Sequence, residues 1–165
     1  MSAPCADPVT GNYAHLAHRD LVERQLWERL VNRIVTDERI ERALAERIMD
    51  QALAFLSLCA GDPDGNFSPA PLVDIGWHTF ILYTKPYADF CHQACGRFIH
   101  HAPSDVDGVD YGKGNVARTV AALRARGFAV DEPLWADTRQ DCGDSGDCTS
   151  GDGCSIESDD DGAGA

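Results

Sequence analysis

Asp74 and His78 stand four residues apart, and Cys91 and Cys95 repeat that spacing further along the chain. On a helix such a pair shares one face. Pro86 lies between the two pairs, and a proline disfavours the helical conformation at Lys85 before it and removes an amide donor. If the chain folds back there, His78 and Cys91 lie level across the bend, and Asp74 and Cys95 lie level further out. A carboxylate, an imidazole and a thiolate converging in this way form a donor set for zinc or another borderline-soft transition metal. His101, which follows His100 and shortly precedes Pro103, adds a second imidazole if its helix unwinds before that proline. The candidate metal ligands are Asp74, His78, Cys91 and His101, and no residue is assigned as catalytic.

Two other readings of these residues stay open. In the first, Cys91 and Cys95 are core residues and His78 satisfies its ring nitrogens with Asp74 or a backbone carbonyl. The absence of a CxxC or HExxH spacing favours it. In the second, Cys91 is a nucleophile with His78 as its base. A catalytic thiol needs partial exposure near positive charge, whereas Cys91 lies in an aromatic stripe.

The elements that must position these side chains read as helices. Over residues 19–35, Val22, Leu26 and Leu30, with Trp27, Val31 and Ile34, recur at intervals of three and four between charged residues. Thr36 or Asp37 is expected to cap a second helix, whose stripe runs through Ile40, Ala43, Leu44, Ile48, Ala52, Phe55, Leu56 and Cys59. Cys59 reads as a small buried hydrophobe. Over residues 61–68 the alternation of Asp62, Asp64, Asn66 and Ser68 is similar to the start of a calcium loop. Phe67, however, stands where the turn needs glycine and Val73 where it needs glutamate, so a polar turn is expected.

Ser68 and Pro69 signal a third helix running to Thr84. A fourth places Tyr87, Phe90, Cys91, Ala94, Cys95 and Phe98 on one apolar stripe and is expected to run towards Pro103. On that pattern Phe98 belongs to the core. Residues 104–114 read as a loop, a fifth helix is expected from Asn115 to Arg126 with Gly127 as its stop, and residues 128–135 read as short and extended. His15 and His18, in the approach to the first helix, read as solvated.

At 165 residues the chain is long enough for one domain with a core. The expected organisation is an irregular lead-in over 1–17, an all-α bundle of about five helices over 18–136, and a disordered acidic tail rich in Cys, Gly and Asp over 137–165. Removing residues 138–165 is expected to leave the melting temperature nearly unchanged. Of the formal net charge of -13, residues 138–165 carry -7, so the body is only moderately acidic. Without clustered Lys and Arg, nucleic acid and anionic membrane surfaces are disfavoured as partners. Neither an export signal nor a long apolar run is evident, and seven cysteines in a reducing compartment point to buried thiols, metal ligands or redox thiols; the expected location is cytoplasmic. Cys142, Cys148 and Cys154 recur every six residues in the tail. They read as loose metal ligands, as the modified residues of a precursor together with nearby Ser and Thr, or as incidental members of a solubilising segment.

The segments Asp74-Ile75-Gly76-Trp77-His78, Tyr87-Ala88-Asp89-Phe90-Cys91 and Gly96-Arg97-Phe98-Ile99-His100-His101 resemble bacterial members of the glycine-rich domain-containing protein-like family. The resemblance is clearest over the third and fourth helices, weaker over the first two, and stops before the tail. It implies a small, mainly helical domain without an established biochemical role, and Cys95 departs from its pattern. The functional expectation is a non-enzymatic binding or interaction domain with a transition-metal site in the central helix pair and a protein or small-molecule partner. Its alternatives are a metal-dependent enzyme using the same residues and a precursor protein modified on its tail.

Overall fold

In the computed structural model the described residues are 18–102, 116–136 and 153–155, with backbone alone for 102 and 153–155. They form an all-α bundle. A 3-10 turn (His18–Leu21) leads into α1 (Arg24–Glu38), α2 (Arg42–Gly61), α3 (Pro71–Ile81) and α4 (Thr84–Cys95). A short strand β1 (His100–Ala102), then α5 (Val116–Ala125) and the single turn α6 (Glu132–Trp135), complete the body. The strand β2 (Gly153–Ser155) pairs antiparallel with β1, setting His100 opposite Ser155, His101 opposite Cys154 and Ala102 opposite Gly153. The expectations for the lead-in, for the loop over 104–114 and for the rest of the tail lie outside the described residues. No helix among the described residues is long and apolar enough to cross a membrane.

The helix α2 is the centre of the molecule. Ala45, Ile48, Met49, Ala52, Leu53, Ala54, Phe55, Leu56, Leu58 and Cys59 are all buried, so it is covered on most of its circumference. It touches α1, α3, α4 and α5. The stripe of Trp27, Leu30, Val31 and Ile34 on α1 is buried against this core, as its periodicity requires. The junction between the two helices falls later than Thr36 and Asp37 suggest. Thr36 donates its hydroxyl to the Asn32 carbonyl at 2.9 Å and Asp37 pairs with Arg33, so both side chains support α1 from within. The turn comes at Arg39, whose φ of 56° ends the helix.

On its other side α2 meets α3 at Gly76. A Cβ there would lie 2.6 Å from the Ala52 Cβ and 3.1 Å from the Ile48 carbonyl oxygen, so the close approach of these helices requires glycine. Gln51 holds the C-terminal part of the body to α2. Its Oε1 accepts from the Asp131 amide at 3.1 Å and the Trp135 indole at 2.7 Å, while its Nε2 donates to the Ala129 carbonyl at 3.1 Å. This clamp draws residues expected to be extended into the turn α6 and buries Leu134 and Trp135.

His18, expected in solvent, is buried. Its Nδ1 faces Asp50 Oδ2 at 2.9 Å, and its ring lies 5.5 Å from that of Phe128. Burial pushes the Asp50 carboxyl up, but the hydrogen bond and charge of His18 and a hydrogen bond from Gln51 outweigh it, and the carboxyl ends below its ordinary 3.8. A depressed carboxyl adds stability above its unfolded-state value that is lost as pH falls through the folded one. Asp50→Asn is therefore expected to be less stable than wild type at neutral pH, by about 1.5–3 kcal/mol for a hydrogen bond to a charged group. The gap should close as pH drops below 3.8. Denaturant melts at several pH values check this, and a gap independent of pH would contradict it.

The helix α4 is shorter than its apolar stripe suggests. It ends at Cys95, because Gly96 takes a left-handed φ of 72° and donates its amide to the His92 carbonyl. Phe98 consequently leaves the helix and lies 40% exposed, packed edge-on to Tyr87 at 5.1 Å rather than in the core. Phe98→Ala is expected to destabilise by about 1 kcal/mol, well below the 3–5 kcal/mol of a core aromatic. Denaturant melts measure the difference, and a loss in the core range would contradict the exposed placement.

Candidate metal centre

The site begins with Asp74 and His78 on successive turns of α3. Pro71 occupies the first turn, where its missing amide is no loss, and Asp74 falls near the positive end of the helix dipole. One turn on, His78 turns its Nδ1 to Asp74 Oδ2 at 3.0 Å. The second imidazole arrives from β1, where His101 Nε2 lies 3.2 Å from Asp74 Oδ1. One carboxylate thus faces two rings from different elements, and one ligand atom from each residue lies within 4.8 Å of the others.

What holds His101 there is a chain of contacts through the core. The Trp77 indole donates to Tyr87 Oη at 2.8 Å, and the Tyr87 hydroxyl donates to the Ile99 carbonyl at 2.7 Å. This relay fixes the chain where it leaves α4 and enters β1. The Trp77 ring also lies against the His101 ring at 4.4 Å, and the His78 ring lies 4.2 Å from it. The two side chains that position the site, Trp77 and Tyr87, carry no ligand chemistry, and nothing in their types marked them beforehand.

Burial pushes the Asp74 carboxyl up, but the hydrogen bonds and charges of His101 and His78 prevail and hold it below its ordinary 3.8. Asp74 is ionised at neutral pH and only accepts, so each facing ring nitrogen carries the proton. A metal would take the place of those protons on the facing nitrogens. Two ligands about 2.0–2.1 Å from a tetrahedral zinc ion lie about 3.3 Å apart, whereas the three ligand atoms here lie within 4.8 Å of one another, so the side chains would have to draw in around an ion. Burial is uneven: the side chains of Asp74 and His101 are 16% and 11% exposed, and that of His78 is 53% exposed. The trio therefore has a closed floor and one face towards solvent.

Of the four residues expected as ligands, the structure brings Asp74, His78 and His101 together and leaves Cys91 apart. Cys91 is fully buried on α4 beside Phe90, and its carbonyl accepts from Cys95 Sγ at 3.4 Å. Packing turns Cys91 into the core. That burial also removes the access a nucleophilic thiol needs. His100 lies outside the cluster, exposed and with its ring 4.8 Å from Phe98.

Neither the comparison with curated proteins nor that with solved structures returned a match. One family model matches, that of an uncharacterised family, over residues 17–120, and nothing in it points to a glycine-rich domain family. The resemblance drawn from residues 74–101 is thus corrected. Its three segments are the helix faces and strand that build one packed corner, whereas the matching model also spans the 3-10 turn, α1, α2 and the first half of α5. With most of the described body inside the matched span, Asp74, His78 and His101 included, the chain belongs to the UCP032817-like family.

Proposed function

We propose that this helical domain is a binding module that holds one divalent transition-metal ion, zinc or another borderline-soft ion, through Asp74, His78 and His101. The convergence of one carboxylate and two imidazoles from two separate elements carries the reading. This donor set suits zinc and its neighbours rather than magnesium or calcium, which prefer shells made of oxygen. The ion would tie β1 to α3 and thereby fix the end of the bundle where α4 gives way to the strand. In this reading the protein works in the cytoplasm and offers that end to a protein or small-molecule partner.

A metal-dependent enzyme using the same three residues is the second reading, favoured by the exposure of His78. Catalytic zinc sites have three protein ligands and an open position, where a bound water reaches a pKa of about 7. Most of the tail residues on which the precursor reading rests lie outside those described. Elemental analysis of untagged protein, followed by zinc titration of the metal-stripped chain, tests the proposal. One equivalent of bound metal is expected, and a chain that stays metal-free under saturating zinc would refute it.

A further inference from the structure

The helices α1 and α4 both pack on α2, and a cleft of about 530 Å³ lies between them. None of the three candidate ligands lines it. Leu26 of α1 and Pro86 and Phe90 of α4 give it apolar walls. Leu21, from the 3-10 turn, adds to them and is 37% exposed. The charges around these walls are uneven. Asp20, Glu23 and Asp89 bring three carboxylates, and Arg29 is the one cation among the lining residues. Arg29 sets its guanidinium over the Tyr83 ring at 4.9 Å, and Lys85, which is not part of the lining, pairs with Asp89 at 2.8 Å. With both cations counted, carboxylates still outnumber them three to two, and Asp20 and Glu23 are exposed.

We propose that this cleft docks a short basic peptide segment of a partner protein, with one apolar side chain against Leu21, Leu26 and Phe90 and flanking Lys or Arg facing Asp20, Glu23 and Asp89. The volume is that of a ligand-sized site, which runs from about 300 to 1,000 Å³. Charge selects the occupant. The chain carries a formal net charge of -13, so a second copy of it, or its own acidic tail, meets the excess of carboxylates with like charge. A basic segment meets that excess with opposite charge, and its apolar side chain takes the exposed part of Leu21 out of water. A free polyamine supplies the charge without the apolar contact. The proposal is independent of the metal-binding reading.

Amide NMR shifts of the full-length, isotope-labelled chain are the readout, and the acetylated, amidated pentapeptide Gly-Lys-Leu-Arg-Gly is the probe. Saturable shifts are expected at Leu21, Glu23, Leu26 and Asp89, with half-saturation below about 1 mM. Gly-Glu-Leu-Glu-Gly and Gly-Lys-Ser-Arg-Gly each lack one of the two contacts and are expected to bind at least about tenfold more weakly. Added salt should weaken the probe by screening the carboxylates. Asp20→Asn combined with Glu23→Gln is expected to weaken it about tenfold, whereas Asp159→Asn, Asp160→Asn and Asp161→Asn together leave it unchanged. No shift in the cleft at that concentration, equal binding of the acidic peptide, or a loss confined to the tail variant would overturn the proposal. Equal shifts with spermine would make the cleft a site for small cations, and cleft resonances that move with the concentration of the chain alone would assign it to a second copy. Either result also overturns it.

Discussion

His78→Ala is expected to strip the protein of its metal while leaving the fold almost untouched. The side chain is 53% exposed and pairs with Asp74 at 3.0 Å, four residues away on the same helix. Helix pairs at a spacing of four contribute about 0.3–0.5 kcal/mol, and Asp74 keeps its contact with His101, so the metal-free variant should melt within about 1 kcal/mol of wild type. The effect on binding is far larger. Losing an outer-shell partner already weakens a site about 10–100-fold, and removing one of its ligands should exceed the upper end of that range. The readout is differential. Zinc at about 100 times its dissociation constant adds about 2.7 kcal/mol to a chain that binds it only when folded. That increment should appear in wild type, fade as falling pH protonates the ligands, and be missing from His78→Ala. Metal that survives in His78→Ala and disappears only when Cys142, Cys148 and Cys154 are replaced would move the chemistry to the tail.

Helical periodicity made Asp74 and His78 legible as a pair, because a spacing of four fixes two side chains on one face whatever surrounds them. His101 was legible conditionally, through the requirement that its helix unwind before Pro103. The unwinding comes at Gly96, and a glycine directly after an apolar stripe is the signal that could have placed it there. Cys91 was legible both as a ligand and as a core residue of the aromatic stripe, and spacing alone did not choose between the two. Counting residues from a bend gives height along a helix, whereas rotation about its axis depends on the neighbours it packs against. The Gln51 clamp and the His18–Asp50 pair were hidden for the same reason, since each joins segments distant in sequence and neither has a local pattern. The bundle itself was readable in outline because stripes on α1, α2 and α4 survive inexact boundaries.

Trp77→Ala should be the most destabilising of these substitutions and should act on the site as well as on the fold. Trp77 is fully buried, its ring lies 5.2 Å from Phe55 and 4.4 Å from His101, and its indole donates to Tyr87. Truncating a buried aromatic typically removes about 3–5 kcal/mol, a large part of the 5–15 kcal/mol that holds a domain folded. A urea melt should show the midpoint falling with little change in slope. A loss below about 1 kcal/mol would mean that the corner where α3, α4 and β1 meet tolerates a cavity and contributes little to the fold. Trp77→Phe separates packing from positioning. It keeps most of the apolar area and removes only the indole donor, and Tyr87 can still donate to the Ile99 carbonyl, so its stability loss should be nearer the 0.5–1.5 kcal/mol of one hydrogen bond. Without the indole the relay from α3 to Ile99 is broken and His101 is held less firmly. Zinc binding by Trp77→Phe should therefore weaken by about 10–100-fold, the range for a residue that orients a ligand without touching the metal. Undiminished zinc affinity in that folded variant would show that Asp74 and His78 alone hold the His101 ring in place.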